Sequence, residues 1–124
     1  MLKPNPIGWV SIPAADVARA VAFYNRIFWL SLEINEDMGH PMAFLPGDRE
    51  SYGAMGAITG GPTPPGLDGP IVFFACDGDL SEPLGRVAAA GGAVLDPKTA
   101  IGPYGFIAQF RDSEGNRIGL HSEQ

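Results

Sequence analysis

The ligating and nucleophilic side chains set the first limit on the chemistry open to this chain. It has two histidines, His40 and His121, and one cysteine, Cys76. A mononuclear catalytic metal typically needs three protein ligands converging on one point. Two histidines alone cannot complete such a set. His40 sits in the turn-like run Met38-Gly39-His40-Pro41 and reads as a surface residue. His121 ends the last strand-like run, on the same face as Gly119, where it could reach the mouth of a cavity. The plain reading of His121 is a polar strand end. The sharper reading is a ligand or proton carrier, because neutral imidazole titrates near physiological pH. Its sequence neighbours supply no orienting partner. Cys76 follows a hydrophobic strand and reads as buried filler. Spacing alone supports no Ser-His-Asp or Cys-His arrangement. Gly60-Gly61 and Gly91-Gly92 read as a linker and a helix stop, not as a phosphate loop. Asp112, Glu114 and Asn116 look like part of a calcium loop, but a tight turn accounts for them.

The elements that must hold these residues come in two similar runs. Residues 7–13 read as a strand, with Trp9 and Ser11 on one face and Val10 and Ile12 on the other. Asp16 suits a helix N-cap, because its carboxylate can accept free N–H groups of the first turn. Val17, Ala20, Val21 and Tyr24 follow at helical spacing, with Ile27 and Phe28 extending the stripe, so the pattern predicts a helix over 16–28. Arg19 and Arg26 fall outside the stripe, and the Tyr24 hydroxyl is expected near the surface. Strands are expected at 31–34, 41–45 and 52–58. Residues 60–69 are too rich in Gly and Pro for regular structure and separate the halves. The second run repeats the order: a strand at 71–76, a helix over 82–90 capped by Asp79 or Ser81, and a short strand at 93–95. A loop at 96–104 and a hairpin of 105–111 with 116–121 follow. Leu84, Val87 and Ala88 would form the second helix's inner stripe. Trp9 lies seven residues before Asp16 and Val72 seven before Asp79, which makes Trp9 and Val72 equivalent in this reading. The chain therefore reads as one α+β domain over 1–124 with internal halves 1–62 and 65–124. A cavity between the halves, or at a dimer seam, is the default site.

Bulk composition excludes several function classes. A chain of 124 residues is one domain of ordinary size. A net charge of −6 disfavours nucleic acid and anionic membrane as partners, since both need a positive patch. The apolar runs are far too short to span a membrane, and no signal-peptide pattern opens the chain. One cysteine allows no internal disulfide and agrees with a reducing, cytoplasmic setting.

Taken together, the residues resemble the vicinal oxygen chelate superfamily, which includes glyoxalase I, bleomycin and fosfomycin resistance proteins and extradiol dioxygenases. The resemblance rests on Ile12-Pro13, on Asp16-Val17-Ala18-Arg19-Ala20-Val21-Ala22-Phe23-Tyr24 and on Phe28. In the second half it rests on Val94-Leu95, Lys98, Ile101-Gly102-Pro103-Tyr104-Gly105, Ala108, and the run Asp112-Ser113-Glu114-Gly115-Asn116 continuing to Ser122. It implies tandem βαβββ modules forming a curved mixed sheet around a cavity, and a homodimer. It also implies metal-ligand positions at Trp9, Val72, near Met55 and at Gly119, where these residue types cannot serve a divalent ion. Trp29 stands where a glycine is usual after Phe28.

The expected cavity lining is apolar, from Trp9, Phe44, Met55, Phe74 and either Phe106 or Phe110, with Ser11, Tyr104 and His121 as polar contacts. This composition suits metal-independent binding of a small apolar or aromatic molecule, with no cofactor. The other reading is a glyoxalase-like lyase or dioxygenase holding its metal through His121 and nearby carboxylates. A dimeric interaction module whose aromatic residues simply fill a core is a third. The sequence leaves open whether any reaction is catalysed.

Overall fold

Residues 9–59 build one sheet and residues 72–122 a second, each with its own helix. The computed structural model describes all 124 residues. The first half contains β1 (Trp9–Pro13), α1 (Val17–Phe28), β2 (Met42–Phe44) and β3 (Met55–Thr59). The second contains β4 (Val72–Ala75), α2 (Ser81–Ala90), β5 (Ala93–Ala100), a 3₁₀ turn (Gly102–Tyr104), β6 (Phe106–Arg111) and β7 (Arg117–Ser122). The strand orders are β1-β3-β2 and β4-β7-β6-β5. β1 runs parallel to β3 and β4 parallel to β7; the remaining pairs are antiparallel. The result is an α+β fold of paired βαβββ-like modules in two mixed sheets.

The first module is one strand short. Residues 31–34 form no strand, and a single bridge, Asn35 to Met42, stands in its place. The cause is local: the Leu32 N–H donates to Asn25 Oδ1 at 2.8 Å, which draws the chain back onto α1. Conversely, β5 runs on to Ala100 where a loop is expected from residue 96. Its register shifts on either side of Asp96, and Pro97 falls within the irregular stretch of this edge strand, where a missing N–H breaks no ladder bond.

α1 begins as its sequence predicts. Asp16 is extended, and its Oδ1 accepts the Arg19 N–H at 3.0 Å. Trp29 closes the helix at φ 53°, a left-handed conformation that most side chains avoid. Its ring lies under the Arg86 guanidinium, 4.1 Å from the ring centroid, which offsets part of that cost. The two helices cap each other: Arg86 donates twice to the Ile27 carbonyl, and Arg26 donates to the Ala89 carbonyl. Each cation thus sits on the negative end of the other helix.

One core joins the halves. Val17, Ala20, Val21, Phe23, Tyr24 and Ile27 of α1 pack with Ile12 and Ile58 of the first sheet and Phe110, Ile118 and Leu120 of the second. In α2, Val87 and Pro83 are buried and Leu84 half-buried, while Ala88 is exposed and does not join the inner stripe. Tyr24 is wholly buried. Its hydroxyl lies not near the surface but against Asp112, donating to Oδ2 at 2.7 Å. Asp112 also accepts the N–H groups of Glu114 and Asn116 and the Asn116 side-chain amide. Glu114 reaches back to the first half, accepting the Asp16 N–H and two bonds from Arg19. Asn116 donates to the Pro13 carbonyl. The Asp112–Asn116 turn is therefore a bolt between the halves, with its oxygens committed to protein donors.

Candidate ligand-binding site

β1 and β4 are the edge strands of their sheets, and no backbone hydrogen bond joins them. A cavity of about 810 Å³ runs along this seam. That volume falls within the usual range for small-molecule sites. Its walls include Trp9 and Ser11 of β1, Met55 of β3, and Phe73, Phe74 and Ala75 of β4. A second cavity of about 540 Å³ continues past Phe74 and Ala75 toward Trp29, Cys76 and Arg86.

Strand alternation decides which side chains face out of each sheet. On β1, Val10 and Ile12 join the core, so Trp9 and Ser11 face the open side. The register sets Trp9 beside Met55, and Phe44 beside Ala57 on the same face. The Trp9 Nε1–H donates to Ser11 Oγ at 3.1 Å, and the Trp9 ring meets Phe44 edge-on at 6.1 Å. Trp9, Ser11, Met55 and Phe44 thus form one cluster, with Phe44 behind the cavity wall.

On β4, Phe74 turns toward the helices and packs against Tyr24 and Phe28, at ring separations of 5.9 and 5.0 Å. It closes the seam from the core side. Phe73 takes the open face instead. It pairs in register with Gly119, and a Cβ on residue 119 would run into its ring. Trp9 precedes the first residue of α1 by eight positions, and Phe73 precedes the first residue of α2 by eight. The repeat therefore matches Trp9 with Phe73, not with Val72. Asp79 lies one position outside the helix cap, Leu80, so spacing counted from it is off by one residue, enough to exchange the two faces of a strand. Asp79 still serves the helix: its Oδ1 accepts the Ser81 N–H and a bond from Lys98. The Ser81 N–H, then Lys98 and the Ser81 side chain, hold its carboxyl down at about 2.

The two polar strand-end residues lie elsewhere. His121 sits half-exposed beside Ala75 and Ile107, outside both cavities. Its orienting partner is Tyr104: His121 Nε2 lies 2.6 Å from the Tyr104 carbonyl oxygen. A carbonyl only accepts, so Nε2 is the donor in this contact. The exposed Tyr104 ring is likewise off the cavity. Phe110 is fully buried in the core, and Phe106 packs beneath Lys98, so neither lines the seam. Cys76 is half-buried, and burial pushes its thiol up. His40 is half-buried in the turn before β2, not on the open surface, and also lies outside both cavities.

The metal positions implied by the resemblance can be tested against this geometry. The indole of Trp9 and the thioether of Met55 stand side by side on the first sheet. The ring of Phe73 covers the side-chain-less Gly119 on the second. None of these is an oxygen or nitrogen ligand, and no three His, Cys, Asp or Glu side chains converge elsewhere in the chain. The residues do not fit a divalent ion. Phe73 lines the cavity and is absent from the lining expected from the sequence. The signal was present in the alternation of Ile71-Val72-Phe73-Phe74, once Phe74 is assigned to the core.

Comparison with known proteins agrees with the architecture. Residues 6–120 match the Glyoxalase/Bleomycin resistance protein/Dioxygenase superfamily. No curated protein sequence matches. Among solved structures, TnmS3, an antibiotic binding protein from Streptomyces sp. CB03234, is 25% identical with a TM-score of 0.66, covering 95% of each chain. The fosfomycin resistance protein FosX from Listeria monocytogenes is 16% identical with a TM-score of 0.69, over 96% of this chain and 91% of its own. A glyoxalase/bleomycin resistance protein from Albidiferax ferrireducens T118 is 18% identical with a TM-score of 0.69, over 94% of this chain and 98% of its own. This chain belongs to the glyoxalase/bleomycin resistance protein/dioxygenase superfamily.

Proposed function

We propose that the chain binds a small apolar or aromatic molecule in the cavity between its halves, without a metal. The observation that carries this reading is the pair of outward clusters at the seam. Trp9 with Met55 and Phe73 over Gly119 occupy the places where a chelating member of the family would hold its ion. Aromatic rings offer a ligand large contact areas at low cost in conformational freedom, and a flexible thioether adapts to its shape. The 25% identity with a protein described as antibiotic binding supports the same reading. The whole chain, 1–124, acts as one domain in this proposal, because both halves contribute to the cavity. Trp9, Phe44 and Phe73 leave apolar surface on the open sheet faces, which favours a homodimer that covers part of it. No helix is long and apolar enough to cross a membrane. A cytoplasmic location is proposed from the unpaired Cys76.

The test uses 1-anilinonaphthalene-8-sulfonate as an apolar aromatic probe, read by quenching of Trp9 emission in a Trp29→Phe background. Saturable binding is expected, weakened at least tenfold by Trp9→Ala, which leaves no tryptophan in that background and is read from the dye's own emission. Calorimetry with Zn²⁺ and Ni²⁺ is expected to show no stoichiometric site. A stoichiometric ion that disappears in His121→Ala would overturn the reading in favour of a metal-dependent enzyme. Light scattering checks the dimer, and a monomer at micromolar concentration would refute it.

A further inference from the structure

The seam is lined by more than side chains. The Ala14 N–H bonds to Thr59 on β3, and the Cys76 N–H bonds to His121 on β7. Because backbone groups alternate along a strand, Val10 and Ile12 also turn toward β3, and Val72 and Phe74 toward β7. The N–H and C=O groups of Trp9 and Ser11 on one edge, and of Phe73 and Ala75 on the other, turn into the gap. The ladders to β3 and β7 leave these groups unpaired, and no turn, loop or side-chain bond takes them up. Pro13 continues the series on β1: it has no N–H to offer, and its carbonyl is already taken by the Asn116 side chain at 2.8 Å. The unpaired edge therefore ends at a built stop.

We propose that the cavity takes an extended peptide, or a peptide-like small molecule, as an added strand between β1 and β4. This rests on the seam being the ligand site, and it names the ligand's class. Backbone amides are the groups that complement two facing strand edges, since each supplies a donor and an acceptor at the repeat of the edge. The edges are four to five residues long, room for a segment of roughly 17 Å. A strand placed there meets Trp9 and Phe73 on its open face and Phe74 on its core face. Both faces are apolar, the condition of a central strand buried on two sides. The preferred sequence is thus short and apolar on both alternating positions. With a net charge of −6 on the protein, it is neutral or basic rather than acidic.

The experiment selects capped heptapeptides from a random display library against the full chain. The tightest is then resynthesised with alternate backbone amides N-methylated and its side chains unchanged. At least a tenfold loss of affinity on methylation is expected. Hydrogen exchange on the wild-type complex should slow the amides of Trp9, Ser11, Phe73 and Ala75 at least tenfold, and leave those of Val10, Ile12 and Phe74 nearly unchanged. Ser11→Pro removes one edge donor without touching a ladder bond and should weaken the peptide about tenfold. Equal affinity for the two peptides, or no added protection of the four edge amides, overturns the proposal. So does protection that appears without peptide as protein concentration rises, because a second copy then fills the gap. Dye binding at Trp9 with no peptide binding rejects strand addition and leaves the apolar-ligand reading standing; failure of both rejects both.

Discussion

Replacing Tyr24 by phenylalanine removes one oxygen and leaves every ring contact of α1 in place. That oxygen donates to Asp112 Oδ2 at 2.7 Å in a site where Asp112 is 1% exposed. Asp112 keeps three further donors, from Glu114, Asn116 and the Asn116 side chain. The carboxylate is left short of one charge-assisted bond rather than stranded, so the cost is about 1.5–3 kcal/mol. The same contact predicts a pH signature. Burial, and after it the charge and hydrogen bond of Asp112, hold the Tyr24 hydroxyl well above its ordinary value. The unfolded chain therefore releases this proton first, and binds fewer protons than the folded chain above about pH 10. Wild-type stability should fall there by up to about 1.4 kcal/mol per pH unit from this group, until the folded hydroxyl also ionises. Tyr24→Phe should be less stable at pH 7 and lose that part of the alkaline slope. Urea unfolding followed by circular dichroism at pH 7, 9.5 and 11 measures both. A variant within 0.5 kcal/mol of wild type at pH 7, or one with an unchanged alkaline slope, would refute the coupling of Tyr24 to Asp112.

The other contacts that join the halves make further predictions. Burial pushes the Glu114 carboxyl up, but bonds from Arg19, the Asp16 N–H and Ser113 outweigh it and hold it below the usual range. Its contribution is thus present above about pH 4.3 and lost as pH falls through the lower folded value. Glu114→Ala should cost about 1–2 kcal/mol at pH 7 and flatten the acid limb of a stability–pH curve. Asp79 behaves alike over a lower window: it stabilises above about pH 4 and loses its effect as pH falls toward 2, so Asp79→Asn should blunt acid unfolding in the range 2–4. At Gly92, a Cβ would meet the Arg111 backbone oxygen together with Phe23 and Val87. Gly92→Ala should lower stability by about 1–3 kcal/mol in thermal melts, and a neutral result would show that the α2–β5 corner yields.

The sequence carried the parts of the fold that depend on neighbouring residues. Asp16, followed by an apolar stripe, marked α1 and its cap, and the Asp-Ser-Glu-Gly-Asn run marked a turn. It did not carry the distant partner of that turn: nothing in Glu114 itself says that it reaches Asp16 and Arg19. The strand at 31–34 failed because a side chain nine residues upstream of Ile34, Asn25, takes the N–H of Leu32. The strand through Pro97 was missed because a proline reads as a break until it is known to sit at a bulge on an edge. In the candidate site, the alternation of β1 placed Trp9 and Ser11 together, since Ile12 is plainly a core residue. On β4 both faces are apolar, and periodicity could not tell Phe73 from Phe74. The places of His121 and Tyr104 off the cavity are not legible in the sequence, because a strand end has no visible position until the sheets are assembled.

The contact between Phe73 and Gly119 also couples substitutions at these two positions. A glutamate at residue 119 cannot be accommodated while the ring of Phe73 lies over it. Exchanging Phe73 for a smaller or ligating residue removes that obstacle and by itself exposes only a glycine. A side chain at 119 and the Phe73 ring in its present place exclude each other, so a ligand at 119 needs either a change at 73 or a turn of that ring.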